Sequence, residues 1–280
     1  MYSIYHFFAD LVEKRENFFT TIILQKFPFN SSLLSCKSEG KFPDMAVRIN
    51  NDKSIFTGGE LIELKDSWSY TVSSFNSTIP SGHKSITEVI KSKNSNIKIQ
   101  MEESGNEIYS LPEREVYYLV RGRKGKTKGD MKICLIHGSF FETLAIDQLI
   151  NLSFSQVIDE ALKEMKVKIP INYKKKLLSN LFKQENFSRV RNIDNASVKL
   201  RFRIMTEVKA EGNILNSEKY PEIIDNSLNL ILPCDNDKTE EMHLMKFNLA
   251  FANMKIPDYK KFKIKHHLDG HFLVLQFSLM

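Results

Sequence analysis

Tryptophan is nearly missing from this 280-residue chain, which holds one Trp against 20 Phe, so aromatic packing must rest on phenylalanine. Cysteine is scarce too. Cys36, Cys134 and Cys234 are widely spaced and odd in number, which argues against a disulfide framework and fits a reducing cytoplasm. No Cys-x-x-Cys pair exists to hold zinc. No apolar run is long enough to span a bilayer. Asp10, Glu13, Lys14, Arg15 and Glu16 interrupt the first apolar stretch and exclude a signal-peptide core. Nor does one charge sign dominate: 40 Lys and Arg face 34 Asp and Glu, a net charge of +6. That excess suits an anionic partner and equally a solvated lysine-rich surface. No repeat or low-complexity tract is present, and 42% hydrophobic with 26% charged residues is ordinary for a globular protein. The length allows one sizeable domain, or a core with a modest second lobe.

Periodicity supplies the elements. Ile4 to Phe27 repeats apolar residues every three or four positions, as an amphipathic helix does, and Pro28 stops it. Met45 to Ile49 and Leu61 to Leu64 read as antiparallel strands around the turn-like Asn50-Asn51-Asp52-Lys53. Ser67 to Ser81 reads as a loop, and Ile86 to Lys93 as a short helix. Val116 to Val120 and Lys132 to His137 are stronger strands, separated by a basic, glycine-rich loop from Arg121 to Gly129. Helices are predicted over Glu142 to Leu152, Ser155 to Met165 and Tyr173 to Phe182, and strands over Val198 to Val208, Leu228 to Leu232 and His271 to Leu279. The expected fold is mixed α and β: a central mixed sheet flanked by helices, followed by an additional C-terminal α+β region, with a boundary near residue 170.

Chemistry concentrates where Pro43-Asp44 enters one strand and Glu63-Leu64-Lys65 ends the next. Side chains alternate along a strand, so Glu63 and Lys65 share a face, and pairing of the strands lets Asp44 reach it. Two carboxylates suit a hard divalent cation such as Mg²⁺, and an ammonium beside them suits an attacking water and a scissile phosphate. A lone Glu-x-Lys is usually a solvated strand edge. Here the preceding Pro-Asp, the eighteen intervening positions and Gly58-Gly59 before the second strand raise it above that background.

Phe42-Pro43-Asp44 followed by Gly59-Glu60-Leu61-Ile62-Glu63-Leu64-Lys65-Asp66-Ser67 resembles the core of the PD-(D/E)XK nuclease superfamily. The order of a helix, a hairpin carrying Asp then Glu-x-Lys, and later strands with a helix is similar as well, over about residues 1 to 165. Size and the extra β-rich region resemble type II restriction endonucleases. The resemblance implies a restriction-endonuclease-like core with Asp44 and Glu63 as metal ligands, joined by the backbone carbonyl of Leu64, and Lys65 positioning the nucleophilic water. It implies Mg²⁺, double-stranded DNA, a homodimer and a cognate DNA methyltransferase in the same system. In some members a glutamate of the N-terminal helix reaches the site, a part open to Glu16 or Glu13. The division that follows is a nuclease core over 1–170 and a basic region for DNA recognition or dimerisation over 171–280. A structure-specific repair or recombination nuclease, and a non-cleaving DNA-binding protein on the same core, remain as alternatives.

A second set, Asp194 with Glu207-Val208-Lys209, lacks the preceding proline, and its strand offers the basic alternation Lys199, Arg201, Arg203. That face suits a phosphate backbone better than a metal. Arg121, Arg123, Lys124 and Lys126, with Arg201 and Arg203, are the expected DNA contacts. Gly125-Lys126-Thr127 fails as a P-loop because Val120 stands where its first glycine belongs. His266, His267 and His271 read as exposed or DNA-facing rather than as a zinc site, and Cys134 as a core residue.

Overall fold

The apolar run through Glu113–Arg123 becomes buried on both faces from Tyr118 to Gly122, as expected for a strand inside a sheet. The computed structural model describes residues 34–36, 42–47, 49, 59–72, 75–76, 80–90, 93, 95–103, 107–124, 130–142, 146–181, 192–195, 198–201, 205–250 and 258–278. The predicted helix from Ile4 to Phe27 lies outside them, with Glu13 and Glu16.

In chain order the strands are β1 (Leu34–Cys36), β2 (Met45–Val47), β3 (Leu61–Ser67), β4 (Phe75–Asn76), β5 (His83–Ser85), β6 (Glu113–Arg123), β7 (Met131–His137), β8 (Asn192–Asn195), β9 (Val198–Arg201), β10 (Met205–Thr206), β11 (Ser227–Pro233), β12 (Tyr259–His266) and β13 (Gly270–Ser278). The α-helices are α1 (Ile86–Val89), α2 (Asn96–Glu103), α3 (Ile146–Glu164), α4 (Ile171–Leu181) and α5 (Asp237–Ala250). The fold is mixed α+β around a mixed sheet. Among the described residues its order is β1-β2-β3-β6-β7-β11-β13-β12, with β5 added against β6. β3 with β6 and β7 with β11 run parallel, and the other neighbours are antiparallel.

Two compact units divide the chain. One holds Met1–Ser74, Pro80–Glu142 and Glu207–Met280, and the other Phe75–Ile79 with Thr143–Thr206. The C-terminal strands β11, β12 and β13 thus belong to the same sheet and unit as β3 and β6, whereas the expected cut at residue 170 falls between α3 and α4. In the second unit Lys174 of α4 pairs with Asp159 of α3, and β4 pairs with β10. α3 is one helix where two were expected, running through Ser153-Phe154-Ser155 without a break.

Within the first unit, Leu244 and Phe247 of α5 pack on Leu230, Leu273, Leu275 and Phe277. The opposite sheet face buries Phe140 against Phe272 and Tyr220. It also carries a closed polar chain, in which Gln276 Nε2 donates to Asn229 Oδ1 at 2.9 Å and Asn229 Nδ2 donates to Ser227 Oγ at 2.9 Å. β12 ends the sheet, and its exposed Lys261, Lys263 and Lys265 discourage pairing with another chain. Lys261 and Lys263 reach Glu240 of α5 at 2.7 and 2.8 Å.

Those hydrogen bonds hold the Glu240 carboxyl at about 2, below its ordinary 4.5. A depressed folded-state value means the pair stabilises fully above about pH 4.5 and loses its effect as pH falls through about 2. Glu240→Gln is therefore expected to lower Tm at neutral pH, with the gap to wild type closing toward pH 2. A gap that persists undiminished in acid would rule out this origin.

Candidate active site

Leu64, between Glu63 and Lys65, directs its amide away from β6 toward the place where β2 begins. The hairpin register matches Met45 with Ile62 and Ala46 with Leu61, so one step outward sets Asp44 alongside Glu63. There the ladder has run out, and Asp44 Oδ2 accepts the Leu64 amide at 2.8 Å. A carboxylate in place of a ladder carbonyl satisfies the donor and fixes the Asp44 side chain against β3. Glu63 and Lys65 share a face as alternation requires, with Lys65 Nζ donating to Glu63 Oε1 at 3.1 Å. Both side chains are mostly covered, at 16% and 13% exposure. Asp44, Glu63 and Lys65 are thus gathered at one end of the β2–β3 pair. Beside them on β6 stands buried Tyr118, opposite Glu63, its phenol pushed up by burial and then by the Glu63 charge.

The opposite face differs. Asp66 receives Arg121 through two hydrogen bonds, Nε at 3.0 Å and Nη2 at 2.8 Å, and Arg123 Nη2 at 2.6 Å. Burial alone would raise the Asp66 carboxyl, but the two guanidinium groups outweigh it and hold it below the usual range. Arg121 is only 5% exposed. Its guanidinium is turned inward on Asp66, an arrangement that does not present it to a base edge. Arg123 lies against the Trp68 ring, 3.7 Å from its centroid, and is partly accessible. Lys124 is exposed and pairs with Asp225 at 3.1 Å. Arg201 lies in β9, while Lys126 and Arg203 fall outside the described residues. The competing Glu207 and Lys209 are exposed, in irregular chain that begins directly after β10.

One histidine expectation changes. His266 is buried: its Nδ1 accepts the Asp269 amide at 3.0 Å, and its ring packs on Phe140 at 4.8 Å. It is a core histidine, unlike exposed His267 and His271. A different group, His83, Glu115 and His137, brings its ligand atoms within 4.8 Å of one another and can hold a metal ion. No local spacing announces it, because the three come from β5, β6 and β7 and β5 itself escapes periodicity. Cys134 is fully buried as expected, and burial pushes its thiol up to about 12.

No protein-family model matches the chain, and no curated protein or solved structure is significantly similar to it. Among the described residues, no helix is long and apolar enough to cross a membrane.

Proposed function

We propose that the protein is a magnesium-dependent endonuclease for double-stranded DNA, of the PD-(D/E)XK type and resembling a type II restriction enzyme. The observation that carries this reading is the Asp44 carboxylate bound to the Leu64 amide, between Glu63 and Lys65. The passage from the β2–β3 hairpin through α1 and α2 to the parallel strand β6 supports it as a restriction-endonuclease-like core.

The donor set fits the cation. Asp44 and Glu63 offer only oxygen, which suits Mg²⁺, with the Leu64 carbonyl as a further ligand. When bound, Mg²⁺ would lower the pKa of a coordinated water and neutralise charge developing on the phosphate. The Asp44 bond to the Leu64 amide orients that carboxylate before any ligand arrives. Lys65 holds the attacking water and offers positive charge beside the scissile phosphate. Water oxygen joins phosphorus, one ester P–O bond breaks, and the departing alkoxide takes up a proton. Arg123, Lys124, Lys126, Arg201 and Arg203 remain the proposed backbone contacts. Arg121 is better explained as internal support for Arg123 through their shared partner Asp66. A homodimer on a symmetric site would supply one active site per strand.

Digestion of long unmethylated DNA with Mg²⁺ or with EDTA tests the reading. Discrete metal-dependent bands are expected. A smear would favour a structure-specific repair nuclease, and intact DNA under every divalent ion tried would overturn the assignment.

A further inference from the structure

The sheet has a second concentration of metal-ligating side chains, facing away from Glu63 and Lys65. Glu63 stands opposite Tyr118, whereas Tyr117 stands opposite His137 and Glu115 opposite His83. Cross-strand partners share a face and successive residues alternate, so Glu115, Tyr117, His83 and His137 project to the side opposite Glu63. We propose that His83, Glu115 and His137 form a binding site for a borderline transition-metal ion of the Zn²⁺ type, distinct from the magnesium site.

Several contacts prepare these residues. His137 is 5% exposed, and its Nδ1 lies 2.8 Å from Ser139 Oγ. Ligation through Nε2 takes the tautomer in which Nδ1–H donates to Ser139 Oγ, the kind of contact that orients a ligating imidazole, in place of the longer contact in which the Ser139 amide donates to Nδ1 at 3.4 Å. The His137 ring is wedged edge-on between Tyr117, centroids 5.2 Å apart, and His83, 5.6 Å apart. Tyr117 donates its hydroxyl to Glu115 Oε2 at 3.0 Å and so orients the carboxylate. Gly82 lets β5 come close, since a Cβ there would lie 2.8 Å from His137 Cε1. The Val116 amide donates to the Gly82 carbonyl at 2.9 Å and anchors that approach.

Ligand chemistry selects the ion. Two imidazoles and one carboxylate suit Zn²⁺ or Co²⁺ far better than Mg²⁺. Bonds of ~2.0–2.1 Å in a tetrahedral site put ligand atoms about 3.4 Å apart. The present spread of up to 4.8 Å closes by rotation of exposed His83 and Glu115 about buried His137. Three protein ligands leave a fourth position for water on the exposed side.

Co²⁺ is the probe, because a tetrahedral site gives intense visible absorption and its displacement by Zn²⁺ can be titrated in the same cuvette. The wild-type 280-residue chain is expected to bind one equivalent with tetrahedral bands, and His83→Ala and Glu115→Gln each to weaken binding at least tenfold. Both changes are at exposed positions, so folding, checked by circular dichroism, is preserved. Asp44→Asn is expected to leave the Co²⁺ spectrum and affinity unchanged, which separates this site from the magnesium site. Absence of tetrahedral bands, or equal Co²⁺ affinity in wild type, His83→Ala and Glu115→Gln, would overturn the proposal.

Discussion

Asp44→Asn is expected to leave the fold intact and remove cleavage. The amide oxygen of asparagine can still accept the Leu64 N–H that Asp44 Oδ2 accepts at 2.8 Å, so the local anchor survives. What disappears is one negative charge of the pair that would hold the cation. Lys65→Ala removes the ammonium 3.1 Å from Glu63 and is expected to act through a different route, loss of positive charge beside the phosphate. Both should reduce single-turnover cleavage by at least the roughly 10²–10³-fold that loss of one charge-stabilising donor costs. Stability should move by no more than about 0.5 kcal/mol for Asp44→Asn, and DNA binding should persist in part. Wild-type cleavage by Asp44→Asn would refute the assignment. Loss of activity in Glu207→Ala with none in Glu63→Ala would transfer the site to the other Glu-x-Lys.

Arg114→Ala is expected to cost about 3–5 kcal/mol, from the buried acceptors it strands together with the cavity it leaves. Arg114 is fully buried, and its guanidinium donates to three carbonyls: Nε to Leu111 at 2.8 Å, Nη1 to Gly59 at 3.0 Å and Nη2 to Ile108 at 2.7 Å. Burial depresses its pKa and the nearby Glu60 charge partly restores it. Alanine would leave those acceptors without their donor, at about 1–3 kcal/mol for each that water cannot reach, and open a cavity as well. Arg114→Lys should fall between, because one ammonium cannot span three divergent oxygens. Gly59, with φ of +87°, opens the way into β3, and a Cβ there would meet Arg114 Nη1 at 2.6 Å. Arg114 therefore supports the strand that carries Glu63 and Lys65. Urea denaturation reads the effect, and a loss under about 1 kcal/mol would show that the network is dispensable.

What the sequence disclosed follows from how locally each signal is encoded. β3, β6, β7, β11 and β13 announce themselves because buried strands need apolar runs, and Asp44 and Glu63-Leu64-Lys65 because each lies at the edge of such a run. β12 escaped because four of its eight residues, at 260, 261, 263 and 265, are lysines, the signature of an edge strand facing water. α5 escaped because Met242, Met245 and Leu249 remain exposed, so its apolar residues do not form one stripe. Arg121 looks like a DNA contact in the sequence because its acceptor, Asp66, is 55 residues away and becomes a neighbour only when β3 and β6 pair. Lys132 of β7 is likewise interior, with its ammonium 2.8 Å from Ser217 Oγ. Composition registers such charges as surface, and only topology shows which of them turn inward.

The pairing of β4 with β10 makes the second unit a composite of two chain segments, Phe75–Ile79 and Thr143–Thr206. Such a unit cannot be transplanted as a continuous cassette. A graft of residues 143–206 into another scaffold would arrive with β10 lacking its partner, and excision of the same stretch would orphan β4 in what remained. The backbone passes from one unit to the other at four places, after residues 74, 79, 142 and 206. A recombination event that exchanged this unit between two chains would have to carry both segments together, so the workable break points for shuffling are set by this small pair of strands.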